Sequence, residues 1–160
     1  LIFVKLAISS VAASMLSCKK ETLAPTTNIN DMTDSSAALV LRGEFMSGPY
    51  GTTSGIAKVY RQGNNYEIKL DSFSVSNGPD LHVYISKETM PVNFIDLGEI
   101  RSTNGNQIYP VTGMPDFSTY KFIVIHCVAF NHLFGSARLN PKYDHFTTEK
   151  PASDLIGNAG

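Results

Sequence analysis

Between Tyr66 and Asp71 the chain alternates strictly, Tyr-Glu-Ile-Lys-Leu-Asp. An extended backbone sends successive side chains to opposite faces, so Tyr66, Ile68 and Leu70 share one side and Glu67, Lys69 and Asp71 the other. The pattern predicts a half-buried strand. The preceding Gly55-Ile-Ala-Lys-Val-Tyr-Arg61 supplies an antiparallel partner, and Gln62-Gly63-Asn64-Asn65 has the residues that a tight hairpin connection needs. Further strands are expected over Ala38 to Phe45, Leu81 to Ser86, Phe94 to Leu97, Gln107 to Val111, Lys121 to Phe130 and Ser136 to Leu139, with turn residues between them. In Leu81 to Ser86, Leu81, Val83 and Ile85 fall on one face and His82 and Tyr84 on the other. Phe122-Ile-Val-Ile-His-Cys-Val-Ala-Phe130 is apolar on both faces, as a central strand covered on both sides would be. No segment of this region sustains a helical period. The expected fold is all-β: one antiparallel sandwich or barrel-like domain over residues 37–139, with short turns and little helix.

The ends of the chain read differently. Residues 1–17 are apolar or small apart from Lys5, and form a signal segment rather than a span, which needs roughly 20 predominantly apolar residues. Met15-Leu16-Ser17-Cys18 resembles a bacterial lipobox, and Lys19-Lys20-Glu21 resembles the start of lipoproteins of the Bacteroidota type. Cys18 is therefore the expected lipid attachment site, with an anchor in the outer membrane of the cell envelope and the domain facing the periplasm or the outside. Residues 18–36, rich in Thr, Asn, Asp and Ser, read as a flexible tether, and residues 140–160 as a polar tail. Thirteen basic side chains, one of them in the leader, stand against fourteen acidic ones. That balance gives no electrostatic basis for binding nucleic acid or a charged membrane surface, so the expected membrane contact is the lipid.

Cys127 is then a thiol without a partner in an exported chain, where thiols tend to be paired, buried or used. Burial is the simplest outcome, because free cysteine packs as a small hydrophobe and Ile125 and Ala129 are expected on its side of the strand. His82, His126, His132 and His145 are scattered, and His126 points away from Cys127 on a strand, so no metal site is predicted. Cys127, His132, His82 and Met114 supply blue-copper residue types without the compact Cys-loop-His-loop-Met order, and there is no Cys-x-x-Cys-His for covalent haem. No base can be placed near the thiol, no Gly-x-Ser-x-Gly elbow or phosphate loop is present, and the spacing of Asp80 and Glu99 gives no argument for a carboxylate pair. No catalytic residue is assigned, and a conventional enzyme is not expected.

Four blocks carry a resemblance when taken together: Gly78-Pro-Asp-Leu-His-Val-Tyr-Ile-Ser86; Leu97-Gly-Glu-Ile-Arg-Ser-Thr-Asn-Gly105 with Gln107 and Tyr109; Tyr120-Lys-Phe-Ile-Val-Ile-His-Cys127; and Phe130-Asn-His-Leu-Phe-Gly-Ser-Ala-Arg-Leu139. In order and spacing they resemble the DM-thirteen domain family. The resemblance implies an extracytoplasmic β-rich domain with one characteristic cysteine, here Cys127, for which electron transfer is proposed, either as a bare thiol or through a prosthetic group such as haem. This family often has an aromatic residue where the chain has His126. The expected function is a lipid-anchored envelope protein with a redox role at Cys127 and a redox or envelope protein as partner. The alternative is a non-enzymatic binding or adhesion module in which Cys127 is structural and the loops at Gly48 to Ser54 and Asn104 to Asn106 form the contact surface.

Overall fold

The computed structural model describes residues 22–142. Cys18, the leader, His145 and most of the polar tail lie outside the described residues. Ten strands follow in chain order: β1 (Ile29–Asn30), β2 (Ala38–Ser47), β3 (Thr53–Gln62), β4 (Asn65–Val75), β5 (Leu81–Ser86), β6 (Phe94–Glu99), β7 (Asn104–Val111), β8 (Phe122–Cys127), β9 (His132–Arg138) and β10 (Asn140–Pro141). No helix occurs among the described residues. The protein is all-β, as its alternation predicts.

The strands form one curled sheet in the order β1-β7-β4-β3-β2-β9-β8-β5-β6, with β10 added alongside β2. All these pairings are antiparallel except that of β1 with β7. β2 belongs to both halves. Its first part, Ala38 to Glu44, pairs with β3, and its end, Phe45 to Ser47, pairs with β9. Passing one strand from one neighbour to the next turns the sheet on itself. The inner faces of the two halves, Ala57, Val59, Ile68 and Leu70 against Val83, Ile85, Ile123 and Ile125, then bury one continuous core. Full burial of each such aliphatic side chain contributes roughly 1.5–3 kcal/mol relative to leaving it in water.

The β3–β4 hairpin forms at the expected place. Gln62 pairs with Asn65, and Gly63 takes the left-handed backbone (φ 60°) that the two-residue connection needs. β4 alternates as its sequence does, with Ile68 and Leu70 inside and Glu67, Lys69 and Asp71 outside. A bulge at Ser72 (φ 49°) then resets the register so that Phe73 also faces the core.

Two expectations change. The apolar run from Lys121 to Phe130 is not one strand: β8 ends at Cys127, and Val128 to Asn131 form a turn with Asn131 in the left-handed region (φ 53°) and Val128 and Phe130 exposed. Ala129 therefore does not share a strand face with Cys127. Hydrophobicity alone cannot distinguish a continuing strand from a turn whose apolar residues stay in water. The chain around Asn104 to Asn106 is also no free loop, because it opens β7 and is flanked by β4 and β1. Residues 22–36, tether-like in composition, lie along the body: β1 pairs with β7, Asp31 forms an ion pair with Arg101, and the Ser102 hydroxyl donates to the Thr27 carbonyl.

Candidate functional site

β8 is flanked by β5 and β9, and its residues from Ile123 onward are buried. Pairing sets Leu81 opposite Cys127, Val83 opposite Ile125 and Ile85 opposite Ile123, all on the core face. Cys127 thus closes the core at one end of the sheet. Its thiol is free, only 1% of the residue is exposed, and Sγ donates to the Pro79 carbonyl oxygen at 3.0 Å. The cysteine singled out by the sequence is a covered thiol with one polar contact.

The cover is the short segment that leads into β5. Gly78 is buried so tightly that an added Cβ would lie 2.6 Å from the Phe134 ring, so only glycine fits without displacing it. Pro79 bridges to Leu23, and the Asn77 amide exchanges hydrogen bonds with the backbone of Ala24. Asp80 adopts a left-handed backbone (φ 54°), uncommon for a residue with a Cβ, and its carbonyl accepts from the Val128 N–H at 2.9 Å. Consecutive residues therefore hold the thiol and the turn that follows it.

On the opposite face of β5 and β8 lie the rings of His82, Tyr84 and His126. His82 lies opposite His126, and Tyr84 stacks on Phe94 with centroids 4.2 Å apart and tilts against both histidines. Burial, together with the charges of Asp96 and Asp80, pushes the Tyr84 hydroxyl up to about 12, so it stays protonated. His126 is 4% exposed, and desolvation, opposed by a hydrogen bond with Asn131 and reinforced by repulsion from His132 and His82, holds it below the usual histidine range. Its Nδ1 is buried without a hydrogen-bond partner. Beyond it, Tyr50 stacks on His132 at 3.6 Å, with Phe130 on the same ring.

The four histidines looked scattered in sequence, and His82, the first of them, proves to have a defined setting. A bulge at Leu97–Gly98 (Gly98 φ 103°) turns Asp96 toward the ring, where both carboxylate oxygens lie 3.0 Å from Nδ1. Nε2 faces Asp80 Oδ1 at 3.2 Å, and strand pairing puts Glu99 beside His82. One ligand atom each from Asp80, His82 and Glu99 lie within 4.8 Å of one another. Sequence spacing missed this group because Glu99 arrives across a bulged strand pair. An Asp-x-His entering one strand and a Glu ending the next was the available signal.

Among the described residues, the clefts of about 290 and 210 Å³ are lined by no His, Cys or Met that could ligate a haem iron. No helix of the described residues is long and apolar enough to cross a membrane. Comparison with curated proteins and with solved structures returns no match. A family model does match, that described as Electron transfer DM13, over residues 44–139. That span is more than half of the chain and takes in the Pro79 cover, Cys127 and the His82 cluster, so the chain belongs to the Electron transfer DM13 family.

Proposed function

We propose that this chain is an extracytoplasmic electron-transfer domain, tethered to a bacterial envelope membrane through lipid on Cys18, with Cys127 as its redox-active group. The observation that supports the reading most is the free thiol under a one-turn cover, held by the Pro79 carbonyl. Family membership supports the electron-transfer class. In the closed state the sulfur is out of reach, so the chemistry requires local opening of the Gly78–Asp80 turn, a sub-global motion of the kind that loops undergo. Once open, the thiol loses its proton to water and the thiolate attacks one sulfur of a partner's disulfide. The partner's S–S bond breaks, a mixed disulfide forms, and the second partner sulfur leaves as thiolate. The bonding pair of the broken S–S bond leaves on the departing sulfur, so the Cys127 sulfur rises one oxidation level as that sulfur falls one.

The test is alkylation of the native protein with a small maleimide, together with equilibration against oxidised glutathione. The reading expects slow, complete single-site labelling without unfolding and a glutathione adduct that is lost in Cys127→Ser. A thiol that stays silent for hours in the native state and reacts only in denaturant overturns it. A second reading is favoured by the 1% exposure of Cys127. In it the cysteine is core filler, and the exposed Tyr50 in the connection before β3, with Phe130 against the same His132 ring, forms a binding surface for an envelope protein. That reading expects capture of an envelope protein to fail in Tyr50→Ser and to persist in Cys127→Ser.

A further inference from the structure

We propose that Asp80, His82 and Glu99 form a binding site for a divalent cation of the zinc class, with Asp96 orienting the histidine. Carboxylates at ordinary pH only accept hydrogen bonds, so the two Asp96 oxygens 3.0 Å from His82 Nδ1 require Nδ1 to carry the proton and donate it. Asp96 is itself fixed by the Gly98 N–H, which donates to Oδ1 at 2.7 Å. With Nδ1 committed, Nε2 faces Asp80 Oδ1 at 3.2 Å, a position for positive charge that either a second ring proton or a bound cation fills. A histidine that donates one nitrogen to a carboxylate and offers the other is how metal-ligating imidazoles are usually held.

The charge balance points the same way. Asp80, Asp96 and Glu99 bring three carboxylates to one imidazole, and a proton on His82 would offset only one of them. Among the described residues, Asp80 and Asp96 form ion pairs with the His82 ring alone. The donor atoms of Asp80, His82 and Glu99 already lie within 4.8 Å of one another. Ligands about 2.0–2.2 Å from a tetrahedral zinc stand roughly 3.4 Å apart, so modest rotation of the exposed Glu99 side chain closes the set. Asp80 and Glu99 also line the 210 Å³ cleft, which gives the ion a solvated approach. One nitrogen and two oxygens leave a fourth position for water, an open site of the zinc type rather than the cage of six to eight oxygens that calcium takes.

Chelator-treated protein titrated with zinc chloride by calorimetry should show saturable binding near one ion per chain. His82→Asn should weaken that event at least tenfold. Glu99→Gln, an exposed substitution that leaves the fold untouched, should also weaken it at least tenfold. Asp96→Asn keeps all three ligands and loses only the oriented tautomer, and should weaken binding about tenfold, within the usual range for an outer carboxylate. No saturable zinc binding, binding unchanged in both His82→Asn and Glu99→Gln, or calcium bound more tightly than zinc would each overturn the proposal. Cys127 is not a ligand in this titration, so a failure of zinc binding leaves the thiol reading standing, and a silent thiol leaves the cation site standing.

Discussion

The two halves of the curled sheet share a core and differ on their outer faces. The half built from β3, β4 and β7 meets water with charge: Lys58 Nζ lies 2.6 Å from one Asp71 oxygen and Lys69 Nζ 3.5 Å from the other. The half built from β5, β8 and β6 carries a packed second face, in which Val124 is fully buried and Tyr84 lies between Phe94 and two histidines. A strand wet on one side can be read from its alternation and tolerates changes on that side. A strand dry on both sides shows no alternation, and any polar group on it must find a partner or stay unsatisfied. It is in this second half that the chain places its thiol, its ring stack and its carboxylate cluster.

The largest expected effect tests that difference directly. Val124→Asp puts a carboxylate on the outer face of β8 and should cost more than about 3 kcal/mol, while Lys69→Ala on the outer face of β4 should cost less than about 1 kcal/mol. Urea denaturation of the two variants measures both, and equal costs would break the distinction. Next comes Asp71→Asn, expected to lose about 1 kcal/mol, since it removes a half-buried carboxylate shared by two lysines. Burial pushes the Asp71 carboxyl up, but the Lys58 hydrogen bond and the charges of Lys58 and Lys69 outweigh it and leave the group below its usual value of 3.8. The folded state thus holds this proton less tightly than the unfolded chain. Its contribution is complete above the unfolded value and is lost as pH falls through the lower folded one. Melting temperatures from pH 6 to pH 2 should converge for wild type and Asp71→Asn at the acid end, and a constant gap would contradict the assignment. The smallest effect is a gain. His126→Phe removes the orphaned Nδ1 from the dry face and should stabilise the protein by up to about 1 kcal/mol in the same urea assay, whereas a loss larger than that would mean the nitrogen has an unseen role.

The same contrast explains what could be read from the sequence. Ile68 and Leu70 against Lys69 and Asp71 identify β4 residue by residue, and Gly63 locates the hairpin, because both signals are local. The two-sided apolar run marks β8 as central, but its end at Cys127 depends on a turn stabilised from another segment, by the Asp80 carbonyl. Sheet order is less legible still, since β2 lies between β3 and β9 and its pairing with β9 closes most of the domain's length. Ile29 beside Gly105 is a contact that no periodicity announces. The site follows suit: Cys127 stood out by composition, whereas Asp80, His82 and Glu99 meet only after two strands pair with a bulge between them.

Pro79 and Asp80 are adjacent, yet they serve different masters. The carbonyl of the first holds the Cys127 sulfur, and the side chain of the second faces the His82 ring. An opening of the turn over the sulfur that moves the Asp80 backbone would also displace a donor of the proposed carboxylate site. Such an arrangement obeys thermodynamic reciprocity: a cation that binds the closed turn more tightly than the open one shields the thiol by the same free energy with which a modified, turn-opening thiol expels the cation. Under the two proposals, ion occupancy and the state of one buried sulfur would be linked through Asp80.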